Sequence, residues 1–429
     1  MISLDQPNVD VVDSDIPMYY DANPYPQELQ GFPVVSQVPP MQQISPIPSD
    51  LTSSHQISSP MTTFESLDVP KQQKTLAQTV PKHKRFRRLD SVKYKFLSPE
   101  GHDHYDNRNN IKLSNFGGVI IPTAVGLEQE KHVTGINAIS KAGKDVMGNT
   151  KECQDTYFVL RDINGMKEFN AFAVLDGHGK YGRPASHFIR DFIQTSVTSN
   201  QQIAMCKTHE ELYHCLKNNN FQIIRDIYFS AEKNLESSGI DCSLSGSTCV
   251  IVFQIGSHLI CSNCGDSRAV LVCSEPYGSS GAERVLVYNL SEDHKPSLPN
   301  EKARIESMGG EVHKINGLGP DRVYVKGQNL PGLAMSRSIG DIIATKVGVL
   351  PLPDFKEYSL DEKCKFLMIC CDGIWDFVDY NTVMNLGNKY YKANNPQQLC
   401  SEMVNNAVKL WRQEGSYVDD ITVVTVFFN

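Results

Sequence analysis

No stretch of this 429-residue chain approaches the roughly 18 consecutive apolar residues that a membrane-spanning helix needs. Its first residues, MISLDQP, lack a basic segment followed by an apolar core, and they do not begin with Met-Gly. We therefore expect neither a secretory signal peptide nor N-myristoylation. No internal repeat is evident. These absences predict a chain that does not associate with membranes.

Basic residues are absent from residues 1–70, which contain nine acidic residues. Residues 71–95 have the opposite balance, with nine Lys or Arg and one Asp. The formal net charge of the whole chain is -8, so the remainder is mildly acidic. An acidic main domain argues against nucleic acid as its principal ligand.

The twelve cysteines follow no repeating interval. The pair Cys261-x-x-Cys264 has no second Cys or His pair at zinc-site distance, so we interpret both as core cysteines rather than a metal or redox site. Several other cysteines lie in apolar runs. Free buried thiols are typical of reducing compartments, and we predict an intracellular protein located in the cytoplasm, the nucleus or both.

Composition divides the chain into a tail and a globular part. Twelve of the 23 prolines lie in the first 81 residues, among Ser, Gln and Thr. Such a segment buries too little apolar surface to offset its ordering entropy, so we predict that residues 1–108 are disordered. A basic cluster at 82–95 is either a nuclear localisation or docking signal or a solvated linker. Residues 109–131 form an adjoining segment, and the globular domain spans 132–429.

Within the globular part, apolar periodicity predicts both strands and helices. Strands are predicted at 156–161, 171–175, 247–255, 258–263, 268–272, 366–371 and 421–428. Helices are predicted at 184–197, 210–235, 299–308 and 397–413. Residues 311–332, with four glycines, resemble a mobile loop. Because strands and helices cluster without strict alternation, we predict an α+β domain built on antiparallel sheets.

Three of the predicted strands end in Asp next to Gly. The run at 171–175 is followed by Asp176-Gly177, the run ending at Cys371 by Asp372-Gly373, and the run ending at Cys264 by Gly265-Asp266. One such residue alone is more often a turn former than a ligand. Their recurrence indicates a single oxygen-rich site at one edge of the fold.

Five aspartates lie at such strand ends or in adjoining turns: Asp155, Asp176, Asp266, Asp372 and Asp419. Clustered carboxylates repel one another, and a divalent cation is their natural compensation. Oxygen ligands favour Mg²⁺ or Mn²⁺ over zinc, and two such ions about 3.5–4 Å apart can activate water and neutralise a phosphoryl group. The imidazole of His178 is placed to protonate a leaving oxygen, although alone it also fits a satisfied turn histidine.

Six segments carry a family resemblance: AFAVLDGHGKYG, STCVIVFQIGSHLICSNCGDSRAVL, EDHKPSLPNEKARIESMGGEV, PGLAMSRSIGD, FLMICCDGIWD and DDITVVTVFF. They resemble, in the same order, segments of the metal-dependent serine/threonine protein phosphatases of type 2C, and the resemblance covers about 132–429. It implies a central β-sandwich of two antiparallel sheets flanked by α-helices, with the metals at one edge. It also implies hydrolysis of phosphoserine and phosphothreonine by a metal-activated water.

The resemblance extends to individual metal ligands. Asp176 resembles the carboxylate that bridges two Mg²⁺ or Mn²⁺ ions, and Gly177 the residue that supplies a backbone carbonyl. Asp372 and Asp419 resemble ligands of the second ion, and Asp266 resembles the ligand of a looser third ion.

The remaining site residues include two departures from the family pattern. Asp155 resembles the carboxylate that orients metal-bound water, and His178 matches the proposed general acid. Gln154 stands where the family often has Glu, which removes a charge and predicts lower metal affinity. Lys151 lies near the position of the family's phosphate-binding Arg, and its ammonium can bind phosphate only as a point charge.

Two other classes of function are weighed against the phosphatase. A catalytically silent scaffold would be indicated by the loss of two or more of the five aspartates, and all five are present. A nucleic-acid-binding regulator acting through the basic cluster is disfavoured by the acidic globular part. We therefore predict a monomeric protein phosphatase whose partners are phosphoprotein substrates.

Overall fold

The computed structural model describes residues 131–277 and 282–429. The predictions made for 1–108, for the basic cluster at 82–95 and for all but the last residue of 109–131 lie outside this range. Within it, no helix has the length and apolar character that would let it span a bilayer.

Sixteen strands alternate irregularly with the helices in this part of the chain. They are β1 (Val133–Lys141), β2 (Thr156–Leu160), β3 (Phe169–Leu175), β4 (Gly177–His178), β5 (Gly246–Ser247), β6 (Cys249–Ile255), β7 (His258–Cys264), β8 (Arg268–Tyr277), β9 (Ala282–Asn289), β10 (Gly310–Ile315), β11 (Leu318–Val325), β12 (Pro331–Leu333), β13 (Ile339–Gly340), β14 (Asp354–Ser359), β15 (Cys364–Cys370) and β16 (Ile421–Phe428).

The described residues also form eight α-helices. They are α1 (Gly182–Ser199), α2 (Gln201–Met205), α3 (His209–Ser237), α4 (Pro299–Ser307), α5 (Ile342–Thr345), α6 (Asp372–Trp375), α7 (Tyr380–Lys392) and α8 (Pro396–Glu414). Helix α3 is interrupted at 218–221, where Asn219, Asn220 and Phe221 have positive φ.

Two five-stranded antiparallel sheets form the centre of the fold. One has the strand order β1-β16-β15-β8-β9 and the other β14-β7-β6-β3-β2. The two sheets share one apolar cluster, to which β3 contributes Phe172 and Val174 and β16 contributes Val424 and Val426. The predicted α+β class and β-sandwich are confirmed.

Helices cover the outer faces of both sheets. The alternate residues of β3, Ala171, Ala173 and Leu175, pack in a second cluster with α1 and α3. On the other sheet, Phe366 and Phe427 pack with α7 and α8. Because both faces of these strands are buried, they read as continuous apolar runs rather than as alternating ones.

The prediction of a loop at 311–332 is wrong. This stretch belongs mostly to a three-stranded antiparallel sheet, β10-β11-β12, which we call the flap sheet. Val312, Val323 and Leu333 bury their side chains in a small core with Ile305 of α4. Its glycines misled the sequence interpretation because two of them, Gly317 and Gly327, occupy turns with positive φ between the strands.

Other elements were missed for a related reason. Strands β1, β9 and β14 and helix α7 were not predicted, and each carries a polar face. The three strands lie at the edges of the two central sheets. A strand that is buried on one face only has a weaker apolar pattern than a strand that is buried on both faces.

Candidate active site

A cavity of about 400 Å³ opens where the strand ends of the two sheets meet the flap sheet. We call it the acidic cleft. Its ionisable lining residues are Lys151, Asp176, His178, Arg322, Asp341, Asp372, Tyr417, Asp419 and Asp420. Of the sequence-predicted site residues, Gly177 also lines it, whereas Asp155 and Asp266 are buried behind its wall.

Strand register brings the aspartates to this edge. Thr156, the first residue of β2, pairs with Leu175, the last residue of β3. Asp155, just before β2, and Asp176, just after β3, therefore lie at the same edge of the sheet. In the other sheet, Cys370 at the end of β15 pairs with both Arg268 and Val423. The residues just beyond these pairs are Asp372, Asp266 and Asp419, which therefore come from one end of three neighbouring strands.

The other four aspartates act on the carboxyl of Asp176. Burial raises the pKa of its carboxyl well above the ordinary value, and Asp155, Asp372, Asp419 and Asp266 raise it further. The prediction that the five aspartates converge is therefore correct in geometry. Their roles as metal ligands stay a prediction.

Asp155 faces Asp176 from beneath the cleft. Burial, followed by the charge of Asp420, raises the pKa of Asp155 to about 7, while a hydrogen bond from Thr422 at 2.7 Å acts in the opposite direction. Ligand atoms of Asp155, Asp176 and Cys371 lie within 4.8 Å of one another. Burial holds the pKa of the Cys371 thiol well above its usual range, which favours the neutral thiol.

Asp266 is paired with a cation from its own chain. The Lys295 ammonium lies 2.5 Å from Asp266 Oδ2, and only 2% of Asp266 is exposed. Its other oxygen, Oδ1, is buried with no hydrogen-bond partner in the described part of the chain. Asp266, the predicted ligand of the third ion, thus has one oxygen paired with an ammonium and one oxygen without a hydrogen-bond partner among the described residues.

Lys151 is also bound to a carboxylate. Its Nζ lies 2.7 Å from Asp419 Oδ1 and 3.7 Å from Asp420 Oδ2. Burial lowers the pKa of Lys151, but the two aspartates outweigh burial and raise it. The ammonium predicted to bind phosphate therefore contacts a predicted metal ligand instead.

A three-stranded sheet, β13-β5-β4, positions the imidazole. His178 pairs with Gly246, which pairs on its other side with Gly340. The following residue, Asp341, accepts a 2.6 Å hydrogen bond from His178 Nε2 across this strand. A Cβ at Gly246 would lie 2.6 Å from Asp341 Oδ2, so glycine leaves the space for the pair.

The surroundings of this pair favour the protonated ring. Burial lowers the pKa of His178, and the adjacent Asp341 carboxylate more than reverses that effect, so the pKa lies above its ordinary value. Asp341 is 1% exposed and also accepts a 2.6 Å hydrogen bond from Ser338 Oγ. An imidazolium held in this way is suited to proton donation.

The first and last segments of the site are tied together by Asp420. Its two oxygens accept hydrogen bonds from the backbone N–H groups of Gly143, at 2.7 Å, and Gln154, at 2.9 Å. The Gln154 side chain donates from Nε2 to the carbonyl of Gly179 at 2.8 Å. At Gly177 a Cβ would lie 2.5 Å from the carbonyl oxygen of Gln154, so no larger residue fits.

Five residues of the site were not predicted from the sequence: Lys295, Arg322, Asp341, Tyr417 and Asp420. Asp341 had a usable signal, because Gly340-Asp341 repeats the Gly-Asp pair that identified Asp266. The two cations had none, because nothing in their local pattern indicates a carboxylate or a cleft more than twenty residues away.

Comparison with known proteins supports one family. The family model described as protein phosphatase 2C matches residues 141–413. The probable protein phosphatase 2C 35 of Arabidopsis thaliana is 27% identical over 295 residues, which cover 64% of this chain and 78% of that protein. The probable protein phosphatase 2C 73 of Oryza sativa subsp. japonica is 31% identical over 298 residues, covering 64% and 69%.

Solved structures share the fold. A serine-threonine phosphatase 2C from Toxoplasma gondii superposes with a TM-score of 0.57 at 20% identity, covering 71% of this chain and 99% of that one. A C. elegans sex determining protein gives a TM-score of 0.51 at 18% identity, covering 69% and 65%. At these identities the likeness extends to the fold alone.

Proposed function

Since the chain belongs to the protein phosphatase 2C family, we propose that its acidic cleft holds two Mg²⁺ or Mn²⁺ ions and that His178 is the general acid of phosphate ester hydrolysis. At the level of enzyme class, the chain is a metal-dependent serine/threonine protein phosphatase. Its substrates are therefore phosphoproteins.

The donor set fits hard divalent cations. Every predicted side-chain ligand is a carboxylate, and the buried Oδ1 atoms of Asp155 and Asp266 have no hydrogen-bond partner among the described residues. Buried carboxylates without partners are costly, and Mg²⁺ and Mn²⁺ prefer oxygen ligands. In this assignment Asp176, Gly177, Asp372 and Asp419 would hold the two ions, Asp155 would orient a water, and Asp266 would hold a looser third ion.

Ions bound at such a site supply a water nucleophile at neutral pH and neutralise charge on the phosphoryl oxygens. The chain's own groups do the rest. Asp341 accepts from His178 Nε2 and so fixes the orientation of the ring. His178, whose pKa is raised by that contact, donates a proton to the leaving serine or threonine oxygen.

Lys151 has two tasks in this proposal. In the metal-free cleft, its ammonium lies 2.7 Å from Asp419 Oδ1 and compensates the charge of that carboxylate. With a cation bound beside Asp419, the ammonium would be available to a substrate phosphoryl group as a point charge.

The observation that carries the proposal is the convergence of five aspartates from separate strand ends beside the His178–Asp341 pair. The test is hydrolysis of a phosphothreonine peptide by the full chain in Mn²⁺, in Mg²⁺ and in EDTA, with Asp176→Asn as the variant. We expect turnover in either metal, loss in EDTA, recovery on adding metal, and almost no activity in the variant. Full turnover in EDTA, or by Asp176→Asn protein, would contradict the metal mechanism.

Other features stay predictions. Gel filtration with light scattering checks the monomeric state, and imaging of the tagged chain checks the cytoplasmic or nuclear location. The boundary at residue 132 is checked by limited proteolysis.

A further inference from the structure

The cations that line the acidic cleft differ in how they are compensated. They are Lys151, His178 and Arg322. Lys151 is paired with Asp419 at 2.7 Å, and His178 is paired with Asp341 at 2.6 Å. Within residues 131–277 and 282–429, Arg322 has no carboxylate partner. It is therefore the lining cation whose charge is still available to an incoming anion.

Strand geometry directs Arg322 away from the core of the flap sheet. Its neighbour in β11, Val323, is fully buried in the cluster that also contains Val312 and Leu333. Successive side chains of a strand point to opposite faces, so Arg322 lies on the face opposite Val323. It is only partly buried there and contributes to the wall of the acidic cleft.

Among the residues that the structure describes, one hydrogen bond anchors the guanidinium. Arg322 NH1 donates to the carbonyl oxygen of Gly332, on the neighbouring strand β12, at 2.7 Å. A guanidinium has five N–H donors, and this bond uses one of them. The remaining donors form a planar fork, which matches the oxygens of a phosphate or carboxylate.

We propose that Arg322 binds an oxyanion of the phosphoprotein substrate. The inference rests on the proposed function. A cleft lined by carboxylates repels a substrate dianion, and an uncompensated guanidinium at its wall offsets that repulsion. The oxyanion is either the phosphoryl group itself or an acidic side chain beside the phosphorylated residue. Both present the same oxygen pair to the fork.

The test compares three substrates with the full chain at saturating Mn²⁺. They are p-nitrophenyl phosphate, a phosphothreonine peptide with neutral flanking residues, and the same peptide with Glu on both sides. The variants are Arg322→Gln, which removes the charge, and Arg322→Lys, which keeps the charge but not the fork. Lys326→Gln is the matched control, because it removes an exposed charge just beyond β11 and outside the cleft lining.

We expect Arg322→Gln to raise KM roughly 10- to 100-fold, as for loss of a hydrogen bond to a charged group, with a much smaller change in kcat. Arg322→Lys should recover part of the loss, and Lys326→Gln should match the unmodified chain. A rise on all three substrates identifies the phosphoryl group as the oxyanion. A rise confined to the Glu-flanked peptide identifies the flanking carboxylate. An unchanged KM on all three, or an equal rise in Lys326→Gln, overturns the proposal.

A binding measurement separates this inference from the proposed function. Fluorescence anisotropy of both labelled phosphopeptides is recorded with Asp176→Asn protein, with and without Arg322→Gln, so no turnover is needed. Weaker binding with Arg322→Gln supports the role of Arg322 even if the unmodified chain shows no Mn²⁺-dependent hydrolysis. Equal binding overturns it even if that hydrolysis is observed. Thermal melting checks that the flap sheet stays folded in each variant.

Discussion

His178 and Asp341 are separated by 163 positions in the chain, yet His178 Nε2 lies 2.6 Å from Asp341 Oδ2. The contact crosses β5 at Gly246, where no side chain intervenes. Because the carboxylate holds the ring and raises its pKa, we expect Asp341 to act on the reaction through His178. The two residues should therefore behave as one unit in mutant kinetics.

His178→Ala should lower kcat by roughly 10²–10⁴ on a phosphothreonine peptide, the range expected for loss of a general acid. Asp341→Asn should lower it less, because the ring remains. Both losses should shrink on p-nitrophenyl phosphate, whose leaving group needs little protonation. In the double variant, Asp341→Asn should add almost nothing to His178→Ala. Ser338→Ala is the control, since Ser338 contacts Asp341 but is not hydrogen-bonded to His178. Equal losses on both substrates would contradict the assignment.

Mn²⁺ should stabilise the folded chain independently of turnover. The carboxylates around Asp176 repel one another, and a ligand that binds only the folded state adds about 2.7 kcal/mol at 100 times its Kd. We expect the Tm to rise with Mn²⁺ and fall back in EDTA. Asp176→Asn should flatten the response, whereas Asp226→Asn, on the exposed face of α3, should not. A Tm that ignores Mn²⁺ in the unmodified chain would count against a metal site.

Lys151→Met should change stability and metal affinity in opposite directions. Without the ammonium, Asp419 and Asp420 lose a partner, which should destabilise the metal-free chain by about 1–3 kcal/mol. Mn²⁺ no longer competes with that ammonium, so titration calorimetry should show tighter binding. Lys144→Met is the control, because Lys144 donates to the carbonyl of Gly148. A higher KM with unchanged Mn²⁺ affinity would mean that Lys151 serves only the phosphate.

Gln154→Glu should have two effects that can be measured separately. The added charge beside the ions should lower the Mn²⁺ concentration for half-maximal activity. A carboxylate cannot donate to the carbonyl of Gly179, so the 2.8 Å hydrogen bond is lost and the metal-free Tm should fall. Gln154→Met removes the same bond without adding charge, and it should lower the Tm alone. A higher metal requirement in Gln154→Glu would refute the charge argument.

Acid should weaken the ion pair between Glu301 of α4 and Arg337, which lies in the segment after the flap sheet. Burial of Glu301 raises the pKa of its carboxyl, but hydrogen bonds and charges from Arg304 and Arg337 outweigh burial and lower it from 4.5 to about 2. A lowered folded-state pKa contributes stability above pH 4.5 that is lost as the pH falls towards 2. Glu301→Gln should therefore cost about 3 kcal/mol at pH 7 and less at pH 2.5. Denaturant melts at the two pH values measure this, and a cost that does not depend on pH would contradict it.

Much of the site could be read locally. Apolar runs of strand length end at Asp176, Asp372 and Asp266, and such runs indicate burial whatever the partners are. A carboxylate at the end of a buried strand implies a sheet edge at which its negative charge must be compensated. For this reason the sequence was enough to predict the five aspartates, the α+β class and the order of the strand and helix segments along the chain. Most strands of the central sheets could be predicted in the same way.

Tertiary structure alone decided how the remaining charges pair and what the glycine-rich stretch becomes. Lys151 binds Asp419 and Lys295 binds Asp266 because the folding of distant segments brings these charges within 2.7 Å, a distance that no local spacing encodes. Residues 311–332 form strands because Val312 and Val323 find a core in α4, which local propensity does not report. The sequence by itself determined that five of the carboxylates collect at the edge of the sandwich. The register of β4, β5 and β13 placed Asp341 beside His178, since cross-strand contacts depend on pairing across the whole fold.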